Sequence, residues 1–149
     1  MSNSWEPLKL RYAKAWYGPY AENLRHVLLS VEGHFISGYT GEADSTETIL
    51  QVLPDAVREA EDLLAPKPDT QERFDRVAKL VDGYESPYGL ELLSTVHWIA
   101  TEDGVEHRDA IAEAVGAWGH RKRQFSREQI DLAVDHLHSL GWIGAPAAG

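Results

Sequence analysis

The sequence predicts a mainly α, compact domain with at most a small β element. Three observations carry that expectation. Six stretches show helical punctuation, with apolar residues recurring at helical spacing between Pro, Gly or capping residues. Only two short stretches have the length and composition of strands. The regular helical pattern is strongest over residues 86–143, where three of the six stretches follow one another.

Gly18-Pro19 opens the first helical stretch. Leu24, Val27, Leu28 and Val31 share a face there, and Gly33 stands where a left-handed C-terminal cap is wanted. His34–Tyr39 is too short for a helix and reads as a small strand. Gly38, Gly41, Glu42 and Asp44 mark a loop, and Thr48–Leu53 reads as a second short strand. Pro54 suits the first turn of the next helix, where Asp55 favours the positive end of the helix dipole. Val57, Ala60 and Leu64 share its face, and Pro66 and Pro68 end it. Asp69-Thr-Gln-Glu72 has the form of an N-cap with a reciprocal glutamate. It introduces a helix whose Phe74, Val77, Leu80 or Val81, and Tyr84 are expected inside, and Glu85–Gly89 breaks it.

Leu90, Leu93, Val96, His97 and Ala100 then form one apolar stripe, closed near Asp103-Gly104. Ile111, Val115 and Trp118 form a second. Ser126–Gln129 is a capping box for a third, which carries Ile130, Ala133, Val134 and Leu137. Gly141 with Trp142 and Ile143 behind it predicts a Schellman stop with a hydrophobic clasp. Three helices followed by Gly-Trp-Ile resemble a winged helix-turn-helix core with a short or missing wing. The expected organisation is one domain over residues 1–149. It comprises a helical half at 8–85, a winged-helix-like half at 86–143, and flexible ends at 1–7 and 144–149.

Composition narrows the function. A chain of 149 residues buries about 68–70% of the surface its unfolded form exposes, enough for a core without staples. Cysteine is absent, which excludes disulfides, thiolate metal sites and a cysteine nucleophile. Neither a membrane-spanning run nor a secretory signal at Met1–Trp5 is legible, so a cytoplasmic location is expected. His136 and His138 lie about 200° apart on a helix and cannot grip one ion from one face. His97 shares the apolar stripe and reads as a packed or boundary histidine. No phosphate loop, dinucleotide fingerprint or nucleophile elbow occurs, so no catalytic residue, cofactor or metal is expected.

The formal charge is -10, and it is unevenly spread. Residues 42–113 hold eighteen acidic and six basic residues, while the flanking segments are near neutral. Such a field repels polyanions and attracts a basic protein surface, although solvated helix faces would give the same sum. The run His120-Arg-Lys-Arg123 is the one cluster suited to phosphate, and its bland reading is a set of cations facing a helix C-terminus. Four aromatics crowd Tyr12–Tyr20. Trp16 is expected in the core, whereas Tyr17 and Tyr20, beside the Gly18-Pro19 bend, are expected half-exposed and fit for protein contact.

Lys9–Leu28, with its Trp-Tyr-Gly-Pro-Tyr string, and Glu32–Tyr39 resemble the C-terminal domain of DarG-type antitoxins, as do Leu53–Val57, Ser86–Trp98 and Leu140-Gly-Trp142. The resemblance covers roughly residues 8–143. In that family an N-terminal macrodomain removes ADP-ribose from DNA, and the C-terminal domain blocks the DarT toxin, a DNA ADP-ribosyltransferase acting on single strands. This sequence shows none of that macrodomain's glycine-rich loops, so the resemblance implies the toxin-neutralising half without hydrolase activity. A single-strand-binding enzyme needs a basic groove with stacking surfaces, which an inhibitor bearing carboxylates and rings would occupy as a DNA mimic. Tyr17, Tyr20, Tyr39 and Tyr84 are the candidate aromatic contacts, and Glu42, Asp44, Glu47 and Glu85 the candidate phosphate mimics. The expected partner is a DarT-like toxin, with no nucleic acid or membrane bound directly. The alternative is a winged-helix DNA-binding regulator using Ser126–Leu140 and Arg121–Arg123; a generic helical interaction module is the third possibility.

Overall fold

The computed structural model describes residues 9–41 and 48–147. Among these residues are six α-helices, one short 3₁₀ helix and two two-stranded sheets, so the chain is mainly α. β1 (Ala13–Ala15) and β2 (Gly18–Tyr20) pair across the two-residue link Trp16-Tyr17, too short for anything but an antiparallel hairpin. The sequence reading missed this hairpin, because three-residue strands carry too little alternation to register. The chain then resolves into two compact units: Met1–Ala13 with Ala21–Phe74, and Lys14–Tyr20 with Asp75–Gly149.

In the first unit, α1 (Leu24–Val31) runs where the spacing predicts. Gly33 takes the expected left-handed conformation at φ 77°, but the chain leaves α1 through an extended Glu32, so Gly33 belongs to the turn into β3. β3 (Ile36–Ser37) and β4 (Gln51–Val52) are the two short strands the sequence predicts. They pair antiparallel, Ile36 opposite Val52 and Ser37 opposite Gln51. Gly38 is irreplaceable at this ribbon: its φ is 105°, and a Cβ there would lie 2.5 Å from the Ile49 carbonyl oxygen. α2 (Pro54–Leu64) begins on its proline as expected, but Ala56 is the one residue it buries among those described.

α3 (Pro68–Val81) corrects the predicted capping box. Pro68 occupies the first turn instead of ending the preceding segment, and Lys67 offers its carbonyl to the amides of Thr70 and Gln71. Asp69 therefore lies inside the first turn. Phe74 and Val77, expected inside, are 62% and 46% exposed.

In the second unit, α4 (Pro87–Thr101) starts three residues before the predicted stripe, with Ser86 accepting from the Gly89 amide and Pro87 in the first turn. Gly89 allows the α3–α4 connection to cross closely, since a Cβ there would sit 2.7 Å from the Tyr84 carbonyl oxygen. Leu92, Leu93, Val96 and Ile99 are buried, whereas Leu90, expected in the stripe, is 42% exposed. They meet Ile111 and Val115 of α5 (Arg108–Trp118) and Ile130, Ala133, Val134 and Leu137 of α6 (Arg127–Ser139), with Phe125 alongside. The capping box at Ser126 is complete in both directions. The Schellman stop is complete too: the Trp142 amide donates to the Leu137 carbonyl and the Gly141 amide to that of His138, with Trp142 and Ile143 against the core. Beyond it, the Ala147 amide donates to the Glu106 carbonyl at 3.0 Å. No helix among the described residues is long and apolar enough to cross a membrane.

Candidate functional site

α4 is buried on more than one face. Its core side meets α5 and α6, and the face bearing Glu91, Ser94 and Thr95 lies under β2, where a Cβ on Gly18 would come within 3.1 Å of Ser94 Oγ. Glu91 is thereby taken out of water, at 6% exposure, and a carboxylate in that position needs charged partners. They come from the basic run, which forms the 3₁₀ helix His120–Gln124. Lys122 Nζ reaches Glu91 Oε1 at 2.6 Å, and Arg121 Nη2 reaches Oε2 at 3.2 Å. The Lys122 side chain is fully buried, its ammonium 5.7 Å from the Trp118 ring centre and 5.9 Å from that of Phe125. Burial pulls its pKa below the ordinary lysine value, and the hydrogen bond to Glu91 opposes that pull. The sequence reading of the run, as phosphate contacts or as cations facing a helix C-terminus, did not foresee that Lys122 is buried.

The same cluster braces the hairpin. The Arg121 guanidinium lies 4.7 Å over the Tyr17 ring. On the other strand, Trp118 Nε1 donates to the Ala15 carbonyl at 2.9 Å. Lys14 spans the Trp118 ring at 4.9 Å and pairs with Asp103. Between these braces the two link residues point outward: Trp16 is 63% exposed and Tyr17 47%. Trp16 was expected in the core and is instead the most exposed ring of the hairpin. A readable signal was present, since Trp16 and Tyr17 stand immediately before a glycine whose φ of 129° a turn requires.

Of the other candidate contacts, Tyr20 follows in β2 and is half-buried. Tyr39 belongs to the first unit, where Glu32 accepts from the amides of Gly38 and Tyr39 at 3.1 and 3.0 Å and so fixes the backbone that carries the ring. Tyr84 and Glu85 lie in the α3–α4 connection. Tyr84 is half-buried 5.0 Å from the His136 ring, and burial raises its pKa, while Glu85 is exposed. Glu42, Asp44 and Glu47 lie outside the described residues. Among the described candidates, Tyr17 and Tyr20 thus share the hairpin, Tyr84 and Glu85 share the α3–α4 connection, and Tyr39 stands apart from both.

Other ionisable groups serve the scaffold. Arg108 joins the start of α5 to α6 through Asp135 at 2.6 Å and Asp131 at 3.6 Å, and Arg127 bonds Asp109 and Asp131. These hydrogen bonds hold both guanidinium pKa values above the ordinary arginine value. His136 Nε2 lies 2.7 Å from the Leu80 carbonyl oxygen. His97 packs edge-on at 6.1 Å from the Trp142 ring, and burial lowers its pKa against the opposing charge of Glu102. Among the described residues no three His, Asp or Glu side chains converge as metal ligands would.

Fold and site together define a mainly α region that displays aromatic side chains on a braced hairpin. No model of a known protein family matches the chain. Over 134 residues, 90% of its length, it is 39% identical to a DNA ADP-ribosyl glycohydrolase of Thermus aquaticus. Over 87% of its length it is 35% identical to the DNA ADP-ribosyl glycohydrolases of Mycobacterium bovis and Mycobacterium tuberculosis. The chain spans 37–39% of the length of these curated relatives. It is thus similar to one region of DarG-type proteins.

Proposed function

We propose that this region is the toxin-binding, C-terminal portion of a DarG-type antitoxin, which acts in the cytoplasm without enzymatic activity of its own. It inhibits a DarT-like DNA ADP-ribosyltransferase by direct contact, occupying the groove that otherwise takes single-stranded DNA. The observation that carries this reading is similarity to DNA ADP-ribosyl glycohydrolases along nine tenths of the chain. The braced hairpin supports it physically. Rings held on a short turn contact a partner with little ordering cost, and Trp and Tyr are frequent anchors of protein interfaces. Tyr17 and Tyr20 supply aromatic contacts from the hairpin, and Tyr39 and Tyr84 from elsewhere. Glu42, Asp44, Glu47 and Glu85 stand in for phosphates. A DNA-binding regulator would use Ser126–Leu140 and Arg121–Arg123; of those three cations, Lys122 is buried against Glu91 and Arg121 is paired with the same carboxylate, while Arg123 is not.

Competition decides between occlusion and remote inhibition. With purified DarT-like toxin and a labelled single strand, added protein should displace the strand and abolish DNA modification. A stable complex of toxin, strand and this protein would overturn occlusion, and a gel shift of duplex DNA by the protein alone would favour the regulator.

A further inference from the structure

Of the two outward rings on the hairpin link, Tyr17 is held from beneath by the Arg121 guanidinium, 4.7 Å from its ring centre. That guanidinium is itself fixed. Its Nε donates to both Glu91 oxygens at 3.3 Å, and its Nη2 donates to Oε2 at 3.2 Å. Glu91 cannot turn away, because it is buried and Lys122 Nζ holds its Oε1 at 2.6 Å. Orientation therefore passes from a dry ion pair, through Arg121, to an exposed ring. The other braces act on the strands: Trp118 bonds the Ala15 carbonyl, Lys14 pairs with Asp103, and Gly18 lies against Ser94.

We infer that Arg121 and Glu91 are positioning residues for the partner contact. They set the pose of Tyr17, so affinity depends on a buried carboxylate that no partner touches. This role deepens the proposed function and rests on its reading of the hairpin as a contact with the toxin. A ring fixed before association has less freedom to lose on binding, and its loosening shows mostly as faster dissociation. Arginine suits the task because its planar fork bonds a carboxylate along its edge and offers a face to a ring, which a lysine ammonium does not.

Arg121→Gln tests it, since Glu91 keeps its buried lysine partner. Hydrogen exchange on the protein alone should show residues 13–20 exchanging about tenfold faster, beyond any change in the α6 amides. Arg123→Gln, exposed on the same 3₁₀ helix, should leave that exchange unaltered. In calorimetry against a DarT-like toxin, Arg121→Gln should weaken binding about fivefold. Once Tyr17 is replaced by leucine, Arg121→Gln should have no further effect on affinity, because Arg121 acts through that ring. Arg121→Lys keeps the charge beside Glu91 and should restore only part of both losses, which also keeps the comparison readable should Arg121→Gln unfold. Unchanged exchange at residues 13–20, or an equal loss of affinity with and without the Tyr17 ring, would overturn the positioning role. Faster exchange in Arg121→Gln, with no toxin bound even by the unaltered protein, would overturn the proposed function and leave the hold on Tyr17 standing.

Discussion

Lys122 Nζ stands 2.6 Å from Glu91 Oε1, with both side chains withdrawn from water. Arg121, the second partner of that carboxylate, is partly exposed, so the pair has one wet end and one dry end. Removing the dry cation leaves a buried carboxylate with a single partner, and breaking such pairs costs about 3–5 kcal/mol. Lys122→Met should therefore lower the unfolding free energy by that amount, read as a lower urea midpoint at unchanged slope, and Glu91→Leu combined with Lys122→Met should recover more than half of it. A single variant within about 0.5 kcal/mol of the parent would mean the pair contributes nothing.

Two glycines close to the hairpin and the 3₁₀ helix should respond in opposite ways. Gly18 has φ 129° and a Cβ would press on Ser94 Oγ, so Gly18→Ala should cost about 1–3 kcal/mol. Gly119 is extended at φ 174° with nothing within 4 Å of a Cβ, so Gly119→Ala should be neutral or stabilise by up to about 1 kcal/mol. Paired denaturation curves check both.

Acid should weaken the fold through His97. Its folded pKa lies below 6.5, so between that value and 6.5 the unfolded chain holds a proton that the folded chain does not. Stability therefore rises with pH across this window. It falls as the pH drops below 6.5 and levels off beneath the folded value. His97→Phe should flatten that limb in thermal melts taken across the window, and an unchanged slope would assign it to other groups.

Trp16 separates binding from folding. At 63% exposure its side chain does little for stability, so Trp16→Ala should shift unfolding by no more than about 0.5 kcal/mol. If the hairpin is an anchor of the toxin contact, the same variant should weaken toxin binding about tenfold or more, measured by calorimetry. Full affinity in the variant would move the anchor away from the hairpin.

Much of the scaffold was legible because its signals are local. The Ser126 capping box, the Gly141 stop and the proline start of α2 each satisfy backbone groups within five residues, so their residue types identify them directly. The start of α3 shows how narrow that legibility is. Asp69 and Glu72 have the right spacing for a cap, but Lys67 already offers the first helical carbonyl, and the preference for proline in the first turn prevails.

The site was not legible in the same way. By itself the sequence determined the presence of the helices, the caps at Ser126 and Gly141, the apolar face of α6 and the aromatic crowding of Tyr12–Tyr20, because each follows from spacing along a few turns of backbone. Tertiary structure alone decided that Lys122 goes inside and that Trp16 stays outside. Lys122 finds its carboxylate 31 positions away, and Ala15 meets Trp118 across 103 positions. Whether a cation or a ring is cheaper in water or out of it depends on partners that only the folded chain brings within reach.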